Sequence, residues 1–300
     1  MLSESTSVSI IITVKNNGID LYTTMESLKV SHTTFPYEVI IVDEGSIDGC
    51  CDFLMNYRFD RPLKRVKGEP GISARNIGAA HASGHYLIFC ETHLYYDDGW
   101  MEQLLEPLMQ GQADGVSPAF AKSEHSPAPV AKEVGGLVRS VRAYPVRGAG
   151  QNEIPWLSWE CFAVRRDAFQ AMGGMEDGLI GKDLETAEFS LRLWLQGGIC
   201  RYVPEVTLTQ VFRQNFPCDN SREQWGADLM TLAYLHFSEE GVSACREQVR
   251  REYQGEPVNE AKLSEWTAAR RAKYALLRKH DEQWFFDRFG IHWEQWANKG

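Results

Sequence analysis

In this 300-residue chain, acidic and imidazole side chains stand where apolar runs stop: "VIIVDEGSIDG" delivers Asp43 and Glu44, and "LIFCETHLYYDDGW" delivers Glu91 and His93. Such groups are costly to desolvate unless a partner compensates. Two residues apart at the carboxyl end of a strand, Glu91 and His93 would project to the same side and could share one divalent cation. A carboxylate with an imidazole suits Mn²⁺ better than Mg²⁺, which prefers oxygen ligands and keeps its waters. The plainer alternative is a hydrogen-bonded Glu and His closing a strand. Asp43 could accept from the N–H of a base or from a ribose hydroxyl, or it could close an Asx turn, which "DEGS" also fits. Arg75 in "GISARN" could grip a phosphate or a base through its planar fork, or it could form a surface ion pair.

The elements that would carry these residues alternate strand and helix. "VSIIITV" (8–14) and "YEVIIVD" (37–43) are continuous β-branched runs of the kind buried on both faces, and "HYLIFC" (85–90) is a third. Between them "DLYTTMESLKVS", "CCDFLMNYR" and "GISARNIGAAHASG" are expected as helices. Such alternation implies a mostly parallel sheet covered by helices, an α/β fold with ligands at the carboxyl ends of the strands. Further along, residues 101–109 are expected helical and "GVSPAF" a strand. "WLSWECFAVRRDAFQAMGG" is expected as strand then helix, "ETAEFSLRLWLQGG" as a strongly amphipathic helix, and "CRYVPEVTLTQVFR" as a final strand. Periodicity dissolves from Lys122 to Glu153, which is expected as a loop beside the site. After Pro217 the character turns helical and aromatic. The chain therefore divides into a catalytic domain, 1–217, and a C-terminal helical extension, 218–300.

Composition excludes several classes. A formal charge of −10 opposes a general nucleic-acid binder. No apolar stretch approaches the roughly 18 residues that a membrane span needs. The N-terminus has no signal pattern, and the seven cysteines form no C-x-x-C pair, so reduced thiols and a cytoplasmic location are expected. "WTAARRAKYALLRKHDEQWFFDRF" mixes basic and aromatic residues at helical spacing. It could touch a membrane surface, dock a carrier or form a dimer contact, or it could pack back on the catalytic domain.

Taken in order from Val8 to about Arg213, these segments resemble the nucleotide-sugar glycosyltransferases of the GT-A fold, and in particular their large family 2. "VIIVDEGSIDG" looks like that group's "VVDDGSxDG", and "GISARNIGAAHASGHYLIFCETH" is similar to "GxxxARNxGxxxAxGxxxxFLDxD", so "ETH" stands where the metal-binding DxD stands. The variant resembles the polypeptide N-acetylgalactosaminyltransferases, which carry Asp-x-His followed by "xxGWLEPLL" and later "GGENLExSFRxWxxGG". The resemblance implies a UDP-sugar donor, a Mn²⁺ or Mg²⁺ cofactor held by Glu91 and His93, and a nucleotide site made by Thr13, Asp43, Arg75 and Glu91. Glu185 and Glu188 fall on the catalytic motif's two glutamates. Trp100, Thr186 and Arg192, with Trp156 and Trp159, would shape the donor and acceptor pocket. The acceptor could be a peptide, a glycan or a lipid, and a second copy of the chain could complete an oligomer.

Two positions depart from the pattern. Gln210 stands where the family's third metal ligand, a histidine, precedes "xFR". Thr186 stands where inverting family-2 enzymes place their general base, and this leans toward retention of configuration. Other readings are an inverting family-2 transferase of polysaccharide or glycolipid synthesis, and a catalytically silent nucleotide-sugar-binding or interaction protein. A dinucleotide oxidoreductase ranks lower, because no G-x-G-x-x-G follows the first strand.

Overall fold

A computed structural model describes residues 7–122, 152–210, 222–252 and 259–291. The loop expected over 122–153 lies almost wholly outside the described residues, as does the "VFR" that ends the last expected strand. The described residues belong to two compact units. The first draws on Met1–Ala131, Ser158–Gly178 and Arg201–Asp219, the second on Lys132–Leu157, Leu179–Cys200 and Asn220–Gly300.

The first unit contains β1 (Val8–Val14), α1 (Asp20–Val30), β2 (Tyr37–Asp43), β3 (Leu63–Lys67), α2 (Ala74–Ala80), β4 (Tyr86–Cys90), β5 (Leu94–Tyr95), α3 (Trp100–Met109), β6 (Gly115–Lys122), β7 (Cys161–Arg165), α4 (Arg166–Ala171) and nearly all of β8 (Cys200–Gln210). They form one eight-stranded sheet in the order β3-β2-β1-β4-β7-β6-β8-β5. The β1, β2 and β4 runs are the apolar ones of the sequence. β1 pairs in parallel with both others, in registers that set Val14 beside Asp43 and Ile12 beside Cys90. Burial of β1 and β2 along their whole length explains why neither alternates polar with apolar. β7 adds antiparallel to β4, making the sheet mixed, with its parallel part on the β3-β2-β1-β4 side.

Two local expectations are corrected. "CCDFLMNYR" makes only a 3₁₀ turn, Asp52–Met55. Tyr57 packs on Phe53 and stacks on Phe59, which lies beyond the segment. β3 is absent from the sequence reading because "LKRVK" lacks an apolar pattern. It is a sheet edge with Lys64, Arg65 and Lys67 facing water, as edge strands commonly are.

The second unit holds α5 (Lys182–Leu195), α6 (Arg222–His236), α7 (Glu239–Glu252), α8 (Glu260–Leu277) and α9 (Glu282–Phe289). The expected amphipathic helix is α5, but every residue from Leu184 to Leu195 is buried, so it is a central helix rather than a surface one. Aromatic side chains surround the apolar core: Trp194 packs on Phe289, Phe237 on Phe286 and Trp156 on Phe285. Among the described residues no helix is long and apolar enough to cross a membrane.

Candidate functional site

In the first unit the sheet brings the suspected side chains together at the carboxyl ends of β1 and β4. Because Ile12 lies beside Cys90, the next residues along each strand meet, and the Thr13 hydroxyl donates to Glu91 Oε1 at 2.9 Å. Arg75, near the start of α2, is 2% exposed and sets its Nη2 3.8 Å from the same oxygen. That guanidinium is held from the other side, donating to the Trp159 carbonyl at 2.8 Å and lying over the Phe162 ring at 5.4 Å. Arg75 is thus a buried positive charge beside Glu91, not a surface ion pair.

His93 does not follow Glu91 along a strand. β4 ends at Cys90, and although the Glu91 N–H still donates to the Glu160 carbonyl, the backbone then turns, with His93 in the left-handed region at φ 68°. A residue with a side chain costs about 1–2 kcal/mol there, and such outliers gather at functional sites. The expectation that period-two alternation would aim Glu91 and His93 together is therefore replaced by a tight turn. Asn17 braces it: its Oδ1 accepts from the Lys15 N–H at 2.6 Å while its Nδ2 donates to Thr92 Oγ1 at 2.7 Å. Gln210 reaches the neighbourhood through β8, whose register sets it beside Leu94, the residue after His93. Among the described residues no three His, Cys, Asp or Glu converge as a metal cluster. The pair fits a divalent cation in donor type, one carboxylate and one imidazole, with an amide alongside.

Asp43 ends β2 and caps the loop that follows, its Oδ1 accepting at 2.8 Å from the Ser46 N–H, three residues on rather than the two of an Asx turn. Its Oδ2 accepts from Arg65 Nη2 at 2.7 Å. Burial alone would raise this carboxyl, but the Ser46 bond and the Arg65 guanidinium outweigh it and hold the group below its ordinary value. Asn16 and Asp48 knit the loops after β1 and β2 together, their side-chain oxygens accepting from the Ile47 and Gly18 N–H groups respectively. Trp100 sits in the hydrophobic core with its ring 4.5 Å from Tyr96, a core position rather than a pocket wall. Trp159 is half-buried.

The second unit contains the other suspected residues. Glu188 is wholly buried and gripped by Arg192, with Nε to Oε1 and Nη2 to Oε2 both at 2.9 Å. His236 Nε2 approaches Glu188 Oε1 at 2.8 Å, and Arg278 Nη2 lies 3.1 Å from the other ring nitrogen. Arg278 can only donate, so the neutral tautomer with its proton on Nε2 satisfies both contacts. Desolvation lowers the His236 value in agreement, and for Glu188 the Arg192 charge and the His236 bond outweigh desolvation and lower the carboxyl. Glu188 is thus half of a structural ion pair with no solvent-facing oxygen, which does not suit it to proton transfer with a substrate. Thr186 donates to the Lys182 carbonyl at 2.7 Å, and Trp156 is buried against Phe285. Glu185 is 5% exposed in the first turn of α5. Just before that turn, Asp228 accepts from the Ile180 and Gly181 N–H groups and from Gln224. Burial pushes its carboxyl up to about 6.

Sequence reasoning missed Asn17, Arg65, Asp228 and His236. The first had a signal, the polar "KNNG" that ends a buried run. The other three meet their partners over sequence separations of 22, 47 and 48 residues.

A mixed sheet with this order, its acidic turn at the carboxyl end of β4 and helices at the C-terminal end define the fold class as GT-A. The first unit's sequence then identifies the family: residues 9–173, more than half of the chain, match Glycosyl transferase family 2, and the chain belongs to it. The chain is 28% identical over 236 residues to polypeptide N-acetylgalactosaminyltransferase 8 of Drosophila melanogaster, covering 69% of this chain and 38% of that relative. It therefore spans well under half the length of that enzyme. Among solved structures it superposes on GalNAc-T7, crystallised with UDP, GalNAc and Mn²⁺, at a TM-score of 0.70 and 17% identity, over 96% of this chain and 57% of that one. It also superposes on S. aureus TarS in complex with UDP-GlcNAc, at 0.56 and 13% identity, over 97% and 81%. At these identities the two structures speak to the fold.

Proposed function

We propose that this chain is a metal-assisted glycosyltransferase that moves a sugar from a UDP-sugar to an acceptor. The observation that carries the reading is the Thr13–Glu91–Arg75 cluster, with His93 in its strained turn, at the carboxyl ends of β1 and β4 in a family-2 fold. Asp43 accepts from the N–H of the base. Glu91 and His93, with Gln210 beside them, hold Mn²⁺ or Mg²⁺, and Thr13 and Arg75 orient the Glu91 carboxylate. When bound, the cation supplies positive charge to the diphosphate leaving group, whose developing negative charge is the chief electrostatic demand of the reaction. Arg75 adds a fixed charge that needs no reorganisation. Glu185 is the acid–base candidate on α5, since Glu188 and Arg192 neutralise each other. Thr186 cannot take a proton at neutral pH, which disfavours inversion through a base at its position and favours retention. The acceptor, whether peptide, glycan or lipid, would meet the half-buried Trp159. Among the described residues six buried cysteines form no disulfide, which suits a reducing, cytoplasmic setting.

Release of UDP from UDP-GalNAc, UDP-GlcNAc and UDP-glucose, with Mn²⁺ or with a chelator, tests the reading. Manganese-dependent release from at least one donor is expected. Binding of UDP without release from any donor or onto any acceptor would support the silent reading instead.

A further inference from the structure

Arg65 was not among the residues that sequence patterns single out, yet it makes a direct contact to the nucleotide-site carboxylate, 2.7 Å from Asp43 Oδ2. The contact follows from the sheet. β3 pairs in parallel with β2 so that Arg65 lies beside Ile41, and alternate residues share a face, which brings Arg65 to the side of Asp43. The partners differ in exposure: the Arg65 side chain is 45% exposed and that of Asp43 only 8%. An ion pair with one member so hydrated adds little to stability, so its consequence is better sought in what it does to Asp43. With Ser46 on Oδ1 and Arg65 on Oδ2, both oxygens are fixed and the plane of the carboxylate is set. Kept ionised, that carboxylate can accept hydrogen bonds and cannot donate one.

We propose that Arg65 is a positioning residue for nucleobase selection: by pinning Asp43 Oδ2 it fixes the carboxylate as an acceptor-only edge that takes a base with a ring N–H, such as uracil, and rejects cytosine, whose corresponding ring nitrogen is itself an acceptor. This rests on the reading above that Asp43 meets the base. Without Arg65 the carboxylate can rotate about its Cβ–Cγ bond and take up a proton, and a protonated carboxyl can donate to cytosine.

Calorimetric titration of UDP and of CDP, with Mn²⁺ present, into the full chain and into Arg65→Gln and Arg65→Lys tests this, with thermal midpoints confirming that each variant folds. Wild type is expected to bind UDP at least about 10-fold more tightly than CDP, the range of one charge-assisted hydrogen bond. Arg65→Gln should weaken UDP about 5- to 10-fold while leaving CDP unchanged or tighter, and Arg65→Lys should recover most of the preference. An equal loss for both nucleotides would make Arg65 a phosphate contact, and no change for either would make it a surface ion pair; each result overturns the proposal. If wild type binds neither nucleotide, the glycosyltransferase reading itself fails, and this inference falls with it.

Discussion

Glu91 and Glu188 are both buried glutamates beside an arginine, yet the two regions treat them in opposite ways. Glu188 is clamped by Arg192 through two bonds of 2.9 Å and closed off by His236. Glu91 has a hydroxyl bond from Thr13 and an arginine at 3.8 Å, beyond direct hydrogen bonding, in a turn strained at His93. A buried pair with ideal geometry on every side consumes its own charge, and it specifies how α5 and α6 pack. With the Arg75 guanidinium set back at 3.8 Å, Glu91 keeps the capacity to meet a cation and a diphosphate. Identity of residue and degree of burial therefore do not separate a structural carboxylate from a functional one; the tightness of its cationic partner does.

Removing one partner from each region gives the largest expected contrast. Glu188→Ala leaves Arg192 buried without its counter-charge and should cost about 3–5 kcal/mol in urea unfolding. Glu91→Gln keeps the shape and should cost less, about 1.5–3 kcal/mol, because Arg75 loses a counter-charge that stands 3.8 Å away rather than in direct contact. Equal losses would erase the distinction.

A smaller effect sharpens the same contrast within the second unit. Asp228 is buried like Glu188 but accepts from amide donors, with no arginine on it among the described residues, and the two carboxyls shift in opposite directions. A raised folded-state value means that the stability Asp228 contributes is complete below the ordinary carboxylate range and is lost as pH rises through about 6. Glu188 and His236, both lowered, contribute stability that is lost as pH falls, from the ordinary imidazole value downward for His236 and from the ordinary carboxylate value for Glu188. Chemical unfolding of wild type and Asp228→Asn across pH 4 to 8 should show the advantage of wild type growing as pH falls through about 6. A difference that is flat across that range, or that shrinks toward acid, would contradict the assignment.

Much of this was legible because the strands that carry the site are apolar enough to announce themselves. Once β1, β2 and β4 are recognised, their carboxyl ends point to Thr13, Asp43 and Glu91, and the sheet register confirms that Thr13 and Glu91 meet. Three things were hidden. β3 is an edge strand and wears charges where a central strand wears isoleucine, so Arg65 was invisible as a partner for Asp43. The turn at His93 depends on Asn17 reaching 75 residues along the chain to Thr92, which no local pattern encodes. The burial of α5 depends on helices that follow it in sequence, so Glu188, Arg192 and Trp156 read as site residues until those helices were in place. The resemblance of "ETH" to a metal motif located the turn, but its left-handed geometry is a property of the fold.

The most direct test of the central claim is calorimetric titration of UDP, with and without Mn²⁺, into wild type and into the Glu91→Gln, His93→Ala double variant. Manganese should tighten UDP binding to wild type by at least about 100-fold, or about 2.7 kcal/mol, and the double variant, folded by circular dichroism, should lose that enhancement. UDP binding that is indifferent to manganese, or an enhancement that survives in the double variant, would contradict a metal-assisted nucleotide site at the end of β4.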